Sequence, residues 1–70
     1  MTAPLTADDL DLLRTVNQEF VTYVHGAFFI SGIETDAFTA HRLRNLILAE
    51  LLAQYGPVVE LTDAGREALA

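Results

Sequence analysis

Apolar residues recur along the first third of the chain at intervals of three and four. Leu10, Leu13, Phe20 and Val24 follow that spacing, with Val16 beside them and Asn17 as a polar interruption. This is the period of an amphipathic helix. Its start is marked as well. Thr6 is placed to cap the amide of Asp9, and Leu5 and Leu10 occupy the staple positions around that cap. Asp8 and Asp9 fall where the positive end of a helix dipole favours carboxylates. The pattern predicts a helix from residue 7 to at least residue 24.

The next stretch, VTYVHGAFFI, admits two readings. His25-Gly26 can be the two-residue turn of a hairpin between VTYV and AFFI. Alternatively the helix runs on through Gly26, at about 1 kcal/mol relative to alanine. Ala27, Phe28 and Ser31 keep the helical period, and a hairpin of two such short strands is marginal alone. The continuous helix is therefore preferred, with Gly32 as its C-cap.

A second helix is expected over DAFTAHRLRNLILAELLAQY, residues 36–55. Ser31 with Glu34, or Thr35 or Asp36, can open it, and Gly56-Pro57 closes it. Between Leu46 and Ala53 only Glu50 is polar. Leu43, Ile47 and Leu51 line one side, and Leu48, Leu52 and Tyr55 another. A helix that is apolar most of the way round is buried on several sides, and one short chain has little to cover it with. The expectation is a homodimer with Leu48, Leu51, Leu52 and Tyr55 at its interface. The alternative is an internal core, with the first helix and the tail packed on opposite sides. PVVEL suits a short strand or an extended connector. TDAGREALA is a last helix capped by Thr62, with Leu61 and Leu69 tucked into the core. Gly65 in its first turn makes this helix depend on tertiary contact. The fold class that follows is all-α: two main helices packed antiparallel plus a short C-terminal helix, in one domain over residues 1–70.

Composition narrows the function. Seventy residues make one domain at most, with a modest core. Cysteine is absent, so neither a disulfide nor a thiolate site exists, which fits a reducing cytoplasm. Ten acidic residues against four basic ones give a net charge of −6. Such a chain is repelled by phosphate backbones and anionic membranes. All the basic residues are arginine and alanine is abundant, the coding bias of a GC-rich genome such as that of an actinobacterium or its phage. The N-terminus has no positive region of the secretory kind, and FVTYVHGAFFISGI is too short to span a membrane.

Few residues suggest chemistry. His25 and His41 lie far apart with no cysteine between them, which is no zinc pattern. Asp8, Asp9 and Asp11 lack the glycine and distal glutamate of a calcium loop. No nucleophile stands beside a base, and Ser31 and Thr39 suit caps or solvated hydroxyls. No enzyme activity and no cofactor are expected. The one positive segment is residues 37–55, at +1, flanked by −5 before it and −2 after it. There Thr39, His41, Arg42, Arg44 and Asn45 are of the types that reach phosphates and base edges. The structural alternative pairs the arginines with Glu34, Asp36 or the Asp-rich first helix. Among the aromatics, Phe20 and Phe38 are assigned to the core. Phe28 and Phe29 are adjacent, so a helix cannot point both the same way, and one of them is expected to face a partner or the second protomer, near Tyr23.

The closing phrase VVELTDAGREAL resembles the end of bacterial winged-helix regulators of the MarR and PadR types, on Leu61, Thr62, Asp63, Ala64, Gly65 and Arg66. The resemblance implies a wing strand running into a capped helix, and DNA binding. A winged helix needs a two-stranded wing, and a helix running to Gly56-Pro57 leaves no room for one. The function expected is therefore a small acidic regulatory interaction module that binds another protein through Asp8, Asp9, Asp11, Tyr23, Phe28 and Phe29. A reduced winged-helix-like DNA-binding regulator is the alternative.

Overall fold

The first helix begins where its capping residues place it and stops well short of its expected end. A computed structural model describes residues 5–70 of the chain. Helix α1 spans Ala7–Gln18. Thr6 Oγ1 accepts the Asp9 amide at 3.1 Å, and the Asp9 carboxylate accepts the Thr6 amide at 3.1 Å, a closed capping box. At Glu19 the backbone becomes extended. The stretch VTYVHGAFFI is then a hairpin rather than a helix. Strand β1 is Val21–Val24, and β2, Ala27–Ile30, pairs with it antiparallel. His25 and Gly26 have φ of 51° and 80°, the pattern of a type I′ turn. Ser31 and Gly32 repeat it at 51° and 83° and lead into β3, Ile33–Glu34. Gly32 is thus a hairpin residue and caps no helix.

The second helix is also shorter than expected. Helix α2 spans Ala37–Leu48, with Asp36 as its N-cap accepting the Thr39 amide at 2.7 Å. Its end is a complete Schellman motif. The Leu51 amide donates to the Leu46 carbonyl and the Glu50 amide to the Ile47 carbonyl, both at 3.0 Å. Glu50 takes the left-handed position, φ 65°, that glycine usually fills. The chain leaves in strand β4, Leu52–Tyr55, turns at Gly56-Pro57 with Gly56 at φ 59°, and returns as β5, Val58–Leu61. The residues that looked like one helix apolar all round are divided between a helix and a strand.

The fold is therefore α+β, which corrects the all-α expectation. The five strands lie in the order β3-β2-β1-β5-β4, every neighbour antiparallel. The first hairpin is not marginal, because it is not alone. β1 pairs with β5 through Val21↔Val59 and Thr22↔Val58, which welds the two hairpins into one sheet.

The helices and the sheet share one core. It holds Leu12, Leu13 and Val16 of α1, Leu43 and Leu46 of α2, and the inward residues Val21, Phe28, Leu52, Val59 and Leu61 of the sheet. Leu13 and Leu43 are fully buried, and such a side chain contributes about 1.5–3 kcal/mol by leaving water. Helix α3, Asp63–Leu69, completes the layer. Thr62 ties it down. Its amide donates to the Leu51 carbonyl at 3.1 Å, its hydroxyl donates to the Glu50 carbonyl at 2.6 Å, and the same oxygen accepts the Gly65 amide at 3.1 Å. Gly65 is buried, and a Cβ there would collide with the Leu51 carbonyl. The closing phrase LTDAGR is thus a packing device: Leu61 enters the core, Thr62 caps α3, and Gly65 lets the helix approach.

Candidate protein-docking face

Side chains alternate across a strand, so the strand positions between the core residues point to the other side of the sheet. No described helix covers that side. The pairing aligns one row across all five strands: Glu34, Phe29, Thr22, Val58 and Tyr55. Val24 pairs with Ala27 next to this row at one end of the strands, and Ala53 with Glu60 at the other. Phe20 extends the face one residue before β1, where its carbonyl accepts the Ser31 amide at 2.8 Å. Phe20, Val24 and Tyr55 are 63%, 38% and 65% exposed. The face is an apolar sheet surface with two carboxylates on it.

β1 and β5 pair over two residues only, and beside that short ladder lies a notch of about 300 Å³. Glu19, Phe20, Glu60, Asn17 and Arg66 line it together with residues of β1 and β5. Ser31 donates its hydroxyl to Glu19 at 2.9 Å. Arg66 is held by Asp63 at 3.3 Å.

All four arginines are in the helical layer. Arg14 lies on α1, Arg42 and Arg44 on α2, and Arg66 on α3. Arg14 pairs with Asp11 at 2.9 Å. Arg42 reaches Asp9 at 3.2 Å, Asp8 at 3.4 Å and Thr6 Oγ1 at 3.4 Å. Asp9 lies well placed to stay ionised. The Thr6 backbone amide above all, with the Thr6 hydroxyl and Arg42, holds its carboxyl below the ordinary range against the opposing effect of burial.

The residues singled out from sequence fall in several places. Thr39, His41, Arg42, Arg44 and Asn45 do share α2, but Arg42 is turned onto the carboxylates of α1. Asp8 and Asp9 are engaged by it, and Asp11 by Arg14. Tyr23 stacks on Phe28 across the inner side of the sheet, centroids 4.6 Å apart, and Phe28 is buried. Phe29 alone of that pair lies on the open face. Of the expected dimer residues, Leu52 is buried in the monomer core, Leu51 packs against it, Leu48 is exposed at the end of α2, and Tyr55 lies on the open face. Phe20 and Phe38 are not core residues. Phe20 falls at an outward sheet position, and Phe38, 84% exposed, lies on the outer side of the first turn of α2.

Phe20, Val24, Val58, Glu34 and Glu60 were not singled out from sequence as a surface. Their signal is the period of two in VTYVHGAFFI around His25-Gly26, which the helical reading masks. The expected lack of a wing hairpin is also corrected, since β4 and β5 form one directly between α2 and α3. Among the described residues no cluster of three His, Asp or Glu could hold a metal ion, and no helix is long and apolar enough to cross a membrane. Comparison with protein-family models, with curated proteins and with solved structures finds no match for this chain.

Proposed function

We propose that this protein is a small acidic interaction module that acts by binding another protein, and that its working surface is the open face of the sheet. The observation that carries this reading is the exposure of Phe20, Val24 and Tyr55 on a sheet side that no described helix covers. A sheet normally buries its apolar side against another element, and contiguous apolar surface left exposed marks an interaction site. The surface differs from the one expected from sequence. The carboxylates of α1 are largely occupied by arginine, and Phe28 is internal.

Two other readings have less support. DNA binding has a hairpin after α2 in its favour. That hairpin, LAQYGPVVEL, carries no basic residue and one glutamate, and Arg42 is already spoken for by α1. Self-association through α2 retains Leu48 and Phe38 as exposed apolar side chains, one at each end of the helix.

The test is a comparative capture from the source cell's extract. Val24→Lys with Tyr55→Lys changes the sheet face, and reversal of Asp8 and Asp11 to lysine changes the helical layer. The reading expects the protein bound by the wild type to be lost with the first variant and kept with the second. The opposite pattern would move the working surface to α1.

A further inference from the structure

We infer that the occupant of the open face is an amphipathic helix with a basic flank, a deepening that rests on the interaction reading above. Charge complementarity carries it. The face presents Phe29, Val58 and Tyr55 along one row, with Thr22 between the first two and Val24 at one end, and among the described strand residues its formal charges are Glu34 and Glu60. Neither carboxylate has an ion-pair or hydrogen-bond partner among the described residues, whereas Arg14, Arg42 and Arg66 all do, and all four arginines lie on the helices. A partner that is apolar and basic meets this surface with opposite charge. A second copy of this chain meeting it face to face brings carboxylate against carboxylate and no arginine to offset them.

The notch adds a specific feature. Glu19, Phe20 and Glu60 line it together with Val16 and Asn17 of α1 and Arg66 of α3, so it lies where the sheet meets the helical layer. A lysine or arginine side chain entering there finds carboxylates and an aromatic face, both of which attract a cation. Arg66 also lines the notch, but its guanidinium is held by Asp63, and Glu60 has no arginine on it. The scale suits a helix as well. Five strands about 4.8 Å apart span roughly 19 Å between the outer two, the length of about thirteen helical residues. Such a helix would complete a three-layer arrangement with the sheet in the middle.

The test titrates the nitrogen-15-labelled full chain with a synthetic helical peptide of roughly eighteen residues, leucine on one face and lysine on the other. A second peptide carries glutamate in place of lysine. The expected result is chemical-shift change at Phe20, Val24, Phe29, Tyr55 and Glu60, with the glutamate peptide binding at least about tenfold more weakly. Glu34→Gln with Glu60→Gln should weaken the lysine peptide about tenfold. Both side chains are exposed, so the variant keeps its fold, which its unperturbed core resonances would verify. Equal binding of the two peptides, shifts confined to α1 and α2, or no shift at all would overturn the inference. So would shifts of the same residues on concentrating the protein alone, with a dimer by light scattering. That last result would place a second copy on the face and leave its role as a docking surface standing. Loss of both the peptide and the captured protein's dependence on Val24 and Tyr55 would sink the interaction reading itself.

Discussion

Glu50 occupies a backbone position that favours glycine. At φ 65° its Cβ crowds the following carbonyl, yet both hydrogen bonds of the Schellman motif are made. Glu50→Gly should therefore stabilise the chain by about 0.5–1 kcal/mol, read as a higher denaturant midpoint. No change, or a loss, would mean that the glutamate side chain offsets its own backbone strain. Acid sensitivity also belongs to single residues. Asp9 is held below its ordinary range first by the Thr6 amide, and Asp36 first by the Thr39 amide. A carboxyl whose folded pKa is depressed stabilises the fold fully above its unfolded pKa. That stability is lost as pH falls through the folded value. Stability should thus decline below about pH 4. The Asp9→Asn, Asp36→Asn double variant should be weaker than wild type at pH 7 but lose less on acidification. Equal acid slopes in denaturant titrations would contradict this.

At the scale of elements, Thr62 couples two helix ends. Through it the exit loop of α2 and the start of α3 share three hydrogen bonds. Thr62→Ala removes the cap and leaves the Glu50 carbonyl without its partner, so a loss of about 1–2 kcal/mol is expected. Thr62→Ser should recover most of it. Failure of serine to do so would assign the effect to the lost methyl group.

What was legible in the sequence follows the same divide between local and distant causes. Thr6, Asp36 and Thr62 were readable as caps because each bonds an amide three residues on. The end of α2 was not, because its left-handed residue is a glutamate. The first hairpin was not, because its stability comes from β5, far along the chain. Reading VTYVHGAFFI as helix turns Phe20 inward, and reading residues 36–55 as helix puts Tyr55 on a helix face, so together they hide the open sheet. The physical lesson lies in the run from Leu46 to Ala53. Apolar residues on every side of a supposed helix were the mark of a helix handing over to a strand.

For the whole molecule, charge is divided unevenly between the two sides of the sheet, while exposed apolar side chains occur on both, Phe38 and Leu48 on α2 among them. The helical layer holds every arginine and most of the carboxylates, largely paired with each other. The other side of the sheet holds aromatic and aliphatic groups with two free glutamates. This division has no evident role in folding the free chain, because the core is complete on the helical side. If the open face is kept apolar for a partner, its exposed side chains contribute little to the stability of the free protein. The most direct measurement is the unfolding free energy of a Phe20→Thr, Val24→Thr, Tyr55→Thr variant, which replaces apolar groups with polar ones that still suit a strand. The account predicts a change of less than about 1 kcal/mol from wild type, as for ordinary surface positions. A loss of more than about 3 kcal/mol, the range of core truncations, would show that these residues serve the fold and would contradict a face reserved for binding.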